Sequence, residues 1–291
     1  MEQTTQKAYA KINIGLDVLR RREDGYHELK MIMQTVDICD DLLLEKTAQQ
    51  GIVIRTDHEE LPVDGSNLIY KAADLLFREK GITEGVKITL TKRIPIAAGM
   101  AGGSSDAAAT MRGLNELFRM GYCIQELQEL GVKLGADIPY CLVGGTMLSE
   151  GIGEILTPLP VPPDCFLVVA KPDINVSTGF VYGNLHADSL TYHPDIDGIV
   201  NALHTGSLNG ITDRLGNVLE TVTVKEYPII EDIKRLLRDM GAENALMSGS
   251  GPSVFGIYKE RHIAEAAARA VEEKQLAGQI FVTTFRNDIT E

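Results

Sequence analysis

Residues 95–109 read PIAAGMAGGSSDAAA. The stretch follows an alternating segment, VKITLTKRI, crosses Gly99, Gly102 and Gly103, and enters an alanine-rich run, so it predicts strand, glycine turn and helix in succession. Glycines at such a turn let backbone N–H groups approach a phosphate closely, with the positive end of the helix dipole facing the anion. It is not a Walker loop, because no lysine follows the last glycine where GxxxxGK[ST] requires one, and GMAGGSS does not satisfy GxGxxG. GxSxG is also absent, which weakens a hydrolase reading. On residue physics alone, the same turn serves equally to admit close helix packing.

Upstream, AYAKINIGLDVL and ELKMIMQTVDI flank REDGYH, whose Asp-Gly pair predicts a hairpin turn. LLLEKT and GIVIRT add short strands, and a helix runs from Ser66 to Gly81 with Leu68, Ala72, Leu75 and Leu76 on one face. Downstream, a helix near Ile124 to Leu134 precedes GADIPYCLVGG, read as a turn before the strand TMLS. The proline-rich TPLPVPP marks a division into domains 1–157 and 158–291. Beyond it come a strand CFLVVAK, helical segments, strands at ALMSG and SVFGIY around a glycine turn, a helix from about Ile263, and a last strand QIFVTTF.

The chain has 291 residues, about two domains' worth, and 44% of them are apolar, enough for a sizeable core. Lys and Arg number 28 against 41 Asp and Glu, and the net charge of -13 disfavours a nucleic-acid partner. No apolar run is long enough for a membrane span and MEQTTQKAYA has no signal core, so a soluble, cytoplasmic protein is expected. Cysteines 39, 123, 141 and 165 form no CxxC, and no HExxH occurs, which leaves neither a disulfide framework nor a zinc site.

Three segments, AKINIGLDVLRRREDGYHEL, PIAAGMAGGSSDAAA and ALMSGSGPSVFGI, resemble in order the three motifs of the GHMP kinase superfamily. The resemblance implies a mixed α/β (α+β) fold of two domains. The N-terminal one would be like the second domain of ribosomal protein S5 and the C-terminal one ferredoxin-like, with the active site between them. AKINIGL, DGYH and GADIPYCLVGGT are similar to the branch that uses ATP to phosphorylate the 2-hydroxyl of a cytidylyl-linked tetritol on the non-mevalonate route to isoprenoids. The implied partner is therefore a small-molecule cytidylyl substrate, with ATP and Mg²⁺ as cofactors and no nucleic acid, membrane or protein partner.

By that resemblance the ATP phosphates lie on Pro95, Ala97, Ala98, Gly99, Met100, Ala101, Gly102, Gly103, Ser104 and Ser105, with Ser105 also a magnesium contact. Met100 stands where the family often has leucine. Asp106 is assigned to the helix start, because an anion beside a triphosphate is repelled unless a cation intervenes. Asn67 and Lys92 are implied near adenine or ribose, and each reads equally as a solvated surface residue. Lys11 and Asp137 are the implied catalytic pair. Lys11 lies in an otherwise apolar strand and needs an anionic partner if buried, or else snorkels at a strand edge. Asp137 reads alternatively as a turn-stabilising carboxylate ahead of a proline that discourages helix.

Taking a reference carboxylate near 3.9 and bulk water near 15.7 as a stand-in for the alcohol, complete prior proton transfer costs on the order of 16 kcal/mol. Kinase barriers total roughly 15–17 kcal/mol, so the pair must orient the hydroxyl and accept its proton late. Tyr26 and Tyr182 are implied to sandwich cytosine and His27 to read its edge, with Asn13 and Thr178 toward the tetritol or diphosphate. Without the resemblance, Tyr26 reads as a turn residue and Tyr182 as helix packing. Gly249 and Gly251 are implied to face phosphate or substrate, and read equally as a plain strand-to-strand turn. The competing functions are a kinase of another alcohol, such as homoserine, mevalonate or a sugar, and a catalytically idle nucleotide-binding protein.

Overall fold

The computed structural model describes residues 2–289; the outer limits of the two predicted domains, at 1 and 291, lie outside the described residues. The first half runs β1 (Gln3–Arg21), β2 (His27–Thr47), β3 (Gly51–Thr56), α1 (Leu68–Lys80), β4 (Gly85–Thr91), α2 (Gly102–Leu117), α3 (Ile124–Gly131), α4 (Ile138–Val143), β5 (Thr146–Gly151) and β6 (Ile155–Pro158). The second runs β7 (Phe166–Lys171), α5 (Thr178–Gly183), α6 (Ile196–His204), α7 (Leu208–Thr212), β8 (Gly216–Asn217), α8 (Glu220–Glu226), α9 (Ile229–Asp239), β9 (Asn244–Met247), β10 (Val254–Tyr258), α10 (Arg261–Glu273) and β11 (Gln279–Thr283).

A seven-stranded sheet has the order β3-β4-β2-β1-β8, with β5 added on β2 and β6 on β5. β1 and β2 are one long antiparallel hairpin, turned where Gly25 takes φ 87° and the Tyr26 N–H donates to Asp24 Oδ1. LLLEKT is therefore not a separate strand but the far end of β2. The reason is its ladder, which continues along β1 on one side while β5 and then β4 occupy the other. The chain leaves this sheet at Pro158, and Phe166 opens a four-stranded antiparallel sheet of order β11-β7-β10-β9. It returns through β8, parallel to β1, and through a bridge between Phe285 and Val36.

GADIPYCLVGG is not only a turn, because it contains α4. Pro139 occupies the first turn of that helix, where its missing N–H has no intrahelical partner to lose, so the proline starts the helix instead of preventing it. Asp137 thereby becomes the N-cap residue, yet its side chain makes no capping bond.

The register of β1 decides which side chains face the site. It shifts against β2 between Tyr9 and Lys11 and again between Asn13 and Gly15. Ala8, Leu16 and Val18 belong to the larger apolar cluster, whereas Ala10, Ile12 and Ile14 belong to a second one. The change of side falls at the two irregularities, since a slipped residue moves the alternating side chains to the opposite face. Lys11 and Asn13 are thus carried to the side from which Ala8 and Leu16 project.

The second cluster joins the two sheets. Ile12, Ile14 and Ile32 meet Leu167, Val169, Leu246, Phe255 and Ile257, while Val168 and Ala170 on the other face of β7 join the larger cluster with residues of α9 and α10. A junction this apolar couples the halves in a way that a polar inter-domain contact does not.

Phe255→Ala therefore costs about 3–5 kcal/mol of stability. Because the lost ring belongs to both halves, unfolding followed by circular dichroism and by limited proteolysis stays a single transition; early, separate release of residues 166–283 contradicts the shared core.

Candidate active site

The main cavity, about 860 Å³, is walled by β1 (Lys11, Asn13), the loop from Pro95, the first turn of α2, Asp137, α5 (Thr178, Tyr182) and the turn at Gly249. Its size lies at the upper end of the range for small-molecule sites.

The glycine loop is held in an uncommon conformation. Ala97, Gly99 and Ala101 all have positive φ (51°, 70° and 57°), which costs roughly 1–2 kcal/mol at each alanine. Left-handed residues spaced this way turn backbone N–H groups toward a common concavity of the kind that binds anions. Ala101 is the N-cap of α2 and provides no side-chain cap, so the first-turn donors are left for another acceptor. The loop is fastened from below by the Lys11 N–H, which donates to the Met100 carbonyl (3.1 Å), and from the second sheet by Ser248 Oγ, which donates to the Gly99 carbonyl (2.9 Å). A methyl on Gly99 would run into the Ser248 carbonyl, and one on Gly249 would lie 2.9 Å from the Gly99 carbonyl. Both positions need glycine because the two turns touch.

Three of the expected residues lie outside the cavity wall. Met100 is buried beneath the loop and is not part of the wall. Ser105 is buried too, its hydroxyl donating to the Tyr9 carbonyl (2.6 Å), so the hydroxyl at the cavity is that of Ser104. Gly251 faces backward, where a methyl would meet Met247 Sδ at 2.6 Å and the Thr223 methyl at 3.3 Å. The expected residues Pro95, Ala97, Ala98, Gly99, Ala101, Gly102, Gly103 and Ser104 all line the cavity.

Lys11 and Asp137 are brought together, Nζ to Oδ2 at 3.9 Å, with the lysine side chain 6% and the aspartate 34% exposed. β8 pairs with β1 only at Gly15 and Leu16, so beside Lys11 the open side of β1 is covered by the loop at Met100, and the lysine is buried instead of reaching out to water. Its ammonium donates to Asn13 Oδ1 (2.8 Å) and at longer range to the Gly99 carbonyl (3.5 Å). The Asn13 amide donates to Met31 Sδ, so Asn13 is fully buried and holds the lysine from the side.

Lys92 is not a solvated residue. Its ammonium sits beneath the first turn of α2, 2.6 Å from both Asp40 and Asp106. Burial works against its charge, but Asp106 and Asp40 outweigh it and raise the lysine above its ordinary range. Burial raises the Asp106 carboxyl well above its ordinary range, opposed by Lys92 and reinforced by Asp40. The second Asp106 oxygen, Oδ1, is buried without a hydrogen-bond partner among the described residues. Asn67, also in the wall, caps α1 by accepting the Ile69 N–H (2.8 Å) and donates its amide to the Pro62 carbonyl (2.7 Å).

At the other end of the cavity the His27 and Tyr182 rings meet, centroids 5.2 Å apart and tilted by 35°, while Tyr26 stands at the lip with 57% of its surface exposed. Burial lowers the His27 pKa, and the Arg21 charge lowers it further. Burial likewise pushes the Tyr182 phenol up. Thr178 Oγ1 and Ser250 Oγ are 3.0 Å apart, tying α5 to the glycine turn. The sequence pattern had no spacing signal for the apolar wall of Leu61, Pro62, Leu68 and Ile96, or for Arg21.

The chain matches the GHMP kinases N terminal domain over residues 67–145 and the GHMP kinases C terminal region over 192–277. It is 50% identical over 285 residues to a 4-diphosphocytidyl-2-C-methyl-D-erythritol kinase of Lachnoclostridium phytofermentans, covering 98% of both chains. A crystal structure of a 4-(cytidine 5'-diphospho)-2C-methyl-D-erythritol kinase superposes with TM-score 0.83 at 33% identity, over 98% of this chain and 100% of that one. A homoserine kinase from Cytophaga hutchinsonii superposes with TM-score 0.78 at 21% identity, over 99% of this chain and 95% of that one, and shares the fold.

The environment of His27 fixes the sign of its pH dependence. A depressed folded-state value means that the neutral ring stabilises the fold above the unfolded value of about 6.5, and that this contribution is lost as pH falls through the folded value. Titration of the His27 ring by NMR is expected to give a midpoint below 6.5; a midpoint at or above it contradicts the burial.

Proposed function

Because the chain belongs to the 4-diphosphocytidyl-2-C-methyl-D-erythritol kinase family of the GHMP kinases, we propose that it transfers the γ-phosphoryl group of ATP to the 2-hydroxyl of that cytidylyl substrate. The products are the 2-phosphate and ADP, on the non-mevalonate route to isoprenoid precursors. The observation that carries the assignment of roles is the Lys11–Asp137 pair beside an uncapped helix start.

The backbone donors of the left-handed loop and the first turn of α2 cradle the triphosphate. Lys11 and Asp137 then act on the acceptor. Their 3.9 Å separation exceeds the roughly 2.7–2.9 Å of a closed charge-assisted hydrogen bond, which leaves the pair able to share an oxygen between them. The 2-hydroxyl is that oxygen: it donates to Asp137 and accepts from Lys11. The acceptor carbon also carries a methyl group, so aiming a crowded hydroxyl in line with the γ-phosphorus is the larger part of the work. Asp137 accepts the proton late, and Lys11 stabilises the negative charge that develops on the attacking oxygen. Asn13, bound to Lys11, sets the direction of the ammonium.

Magnesium fits this site as an ion carried with the nucleotide. Mg²⁺ is usually held by one or two carboxylates plus substrate phosphates, and Asp106 Oδ1 is a buried carboxylate oxygen still without a partner. Asp106 and the Ser104 hydroxyl would hold it. When bound, the ion neutralises charge on the β- and γ-phosphates. At the far end, Tyr26 and Tyr182 flank the cytosine, and the neutral His27 ring or its backbone bonds the base edge. Thr178 lies toward the diphosphate. We draw the nucleotide-binding domain as 1–157 and its partner domain as 158–291. No helix among the described residues is long and apolar enough to cross a membrane.

Asp137→Asn is expected to lower kcat by two to four orders of magnitude while ATP affinity changes less than about threefold. ADP release with a panel of acceptors checks the substrate: the cytidylyl compound turns over and homoserine, mevalonate and simple sugars do not. Undiminished turnover in the variant removes Asp137 from the chemistry, and preference for another alcohol overturns the assignment.

A further inference from the structure

The charges around the cavity are distributed unevenly. Among the described residues five charged side chains line it: Lys11, Arg21, Lys92, Asp106 and Asp137. Lys11 is paired with Asp137, and Lys92 with Asp106 and, behind it, Asp40. Arg21 has no ion pair among the described residues, although its neighbours do. Arg20 reaches Glu28 (3.6 Å), and Arg22 reaches Asp24 (3.0 Å) and Glu28 (3.4 Å). Arg21 is the last residue of β1, and Arg22 already belongs to the turn. Asp24 and Glu28 are thus taken up by Arg22 and Arg20, while Arg21 lines the cavity, directly across the ladder from His27.

We propose that Arg21 is a further substrate-recognition residue, its unpaired guanidinium gripping the diphosphate bridge of the nucleoside-diphosphate-linked acceptor. The inference rests on the cytidylyl-substrate reading above. The acceptor brings a second polyanion into a chain of net charge -13, and the helix start serves the triphosphate at the opposite end. Arg21 supplies the missing charge where His27 and Tyr26 meet the nucleoside, and its planar fork suits adjacent phosphate oxygens. The same charge, acting through space, also helps keep His27 neutral.

Steady-state kinetics of Arg21→Gln and Arg21→Lys test this. Loss of one charge-assisted contact is expected to raise KM for the cytidylyl substrate roughly 10- to 100-fold, with kcat and the KM for ATP changing less than about threefold. Arg21→Lys recovers at least part of the loss. Inhibition by CMP and CDP weakens in Arg21→Gln, whereas inhibition by cytidine, which has no phosphate, does not. An unmoved KM, a lysine variant no better than glutamine, or equal weakening of cytidine and CDP overturns the proposal. The wild-type protein gives an independent arm: added salt must weaken CDP inhibition much more than cytidine inhibition, and equal effects also overturn it. Failure of the wild-type protein to phosphorylate the cytidylyl substrate refutes the functional reading itself, whereas an active wild type with an indifferent Arg21→Gln refutes only the role of Arg21.

Discussion

An ammonium buried on a sheet strand has to be surrounded by acceptors, and most of the site follows from how that demand is met for Lys11. Its side chain is nearly excluded from solvent, where an uncompensated charge costs several kcal/mol. Asn13 answers from two positions along the same strand, Asp137 from the start of α4, and the Gly99 carbonyl from the glycine loop. That carbonyl also accepts from Ser248 of the second sheet. One buried cation therefore fixes the positions of a strand, a helix start and a loop, and the loop in turn meets the other half of the molecule. A neutral residue at position 11 would remove the reason for these elements to converge.

Lys92 forms a second node of the same kind with the opposite balance, one cation between two carboxylates. Buried ion clusters are weak sources of stability compared with apolar packing, so the value of this one lies in geometry. Asp40 comes from β2, Lys92 from the strand-to-loop transition and Asp106 from α2. The triad clamps the entry and exit of the glycine loop onto the sheet. It holds in place a backbone that carries two alanines in the left-handed region, a conformation that persists only where its surroundings over-determine it. Asp106 also lines the cavity, and its second carboxyl oxygen is left without a hydrogen-bond partner among the described residues.

Much of this was legible in the chain because the informative residues are close in sequence. The strand, glycine turn and helix of residues 88–117, the hairpin at DGYH and the need of Lys11 for an anion all follow from local pattern and elementary electrostatics. The Lys92 triad is not local, since its members are 52 and 14 residues apart. The choice between Ser104 and Ser105 depends on the rotational phase of α2, which adjacent residues with the same side chain cannot reveal. Pro139 misled because proline breaks a helix interior but is accommodated in its first turn, and only the location of the helix start separates the two cases. The register shifts that turn Lys11 and Asn13 to the cavity are properties of the pairing with β2, not of β1 alone.

The way the halves are joined also bears on how ligands reach the cavity. A hinge opening of the two sheets would expose Ile12, Ile14, Leu167, Val169, Phe255 and Ile257 together, and each fully buried side chain of this size is worth roughly 1.5–3 kcal/mol. The sum is comparable with the whole stability of a typical domain, so wide separation of the sheets is not a route of entry. The hairpin tip costs far less to move. Arg21, Gly25 and Tyr26 are solvent-exposed, and the turn is held by two backbone hydrogen bonds between Arg22 and Gly25 or Tyr26, by Asp24, and by exposed or half-exposed ion pairs of Arg20 and Arg22 that are each worth little in water. Rigidity is thus concentrated around the Lys11–Asp137 pair and the glycine loop, and compliance at the hairpin tip on the cavity rim.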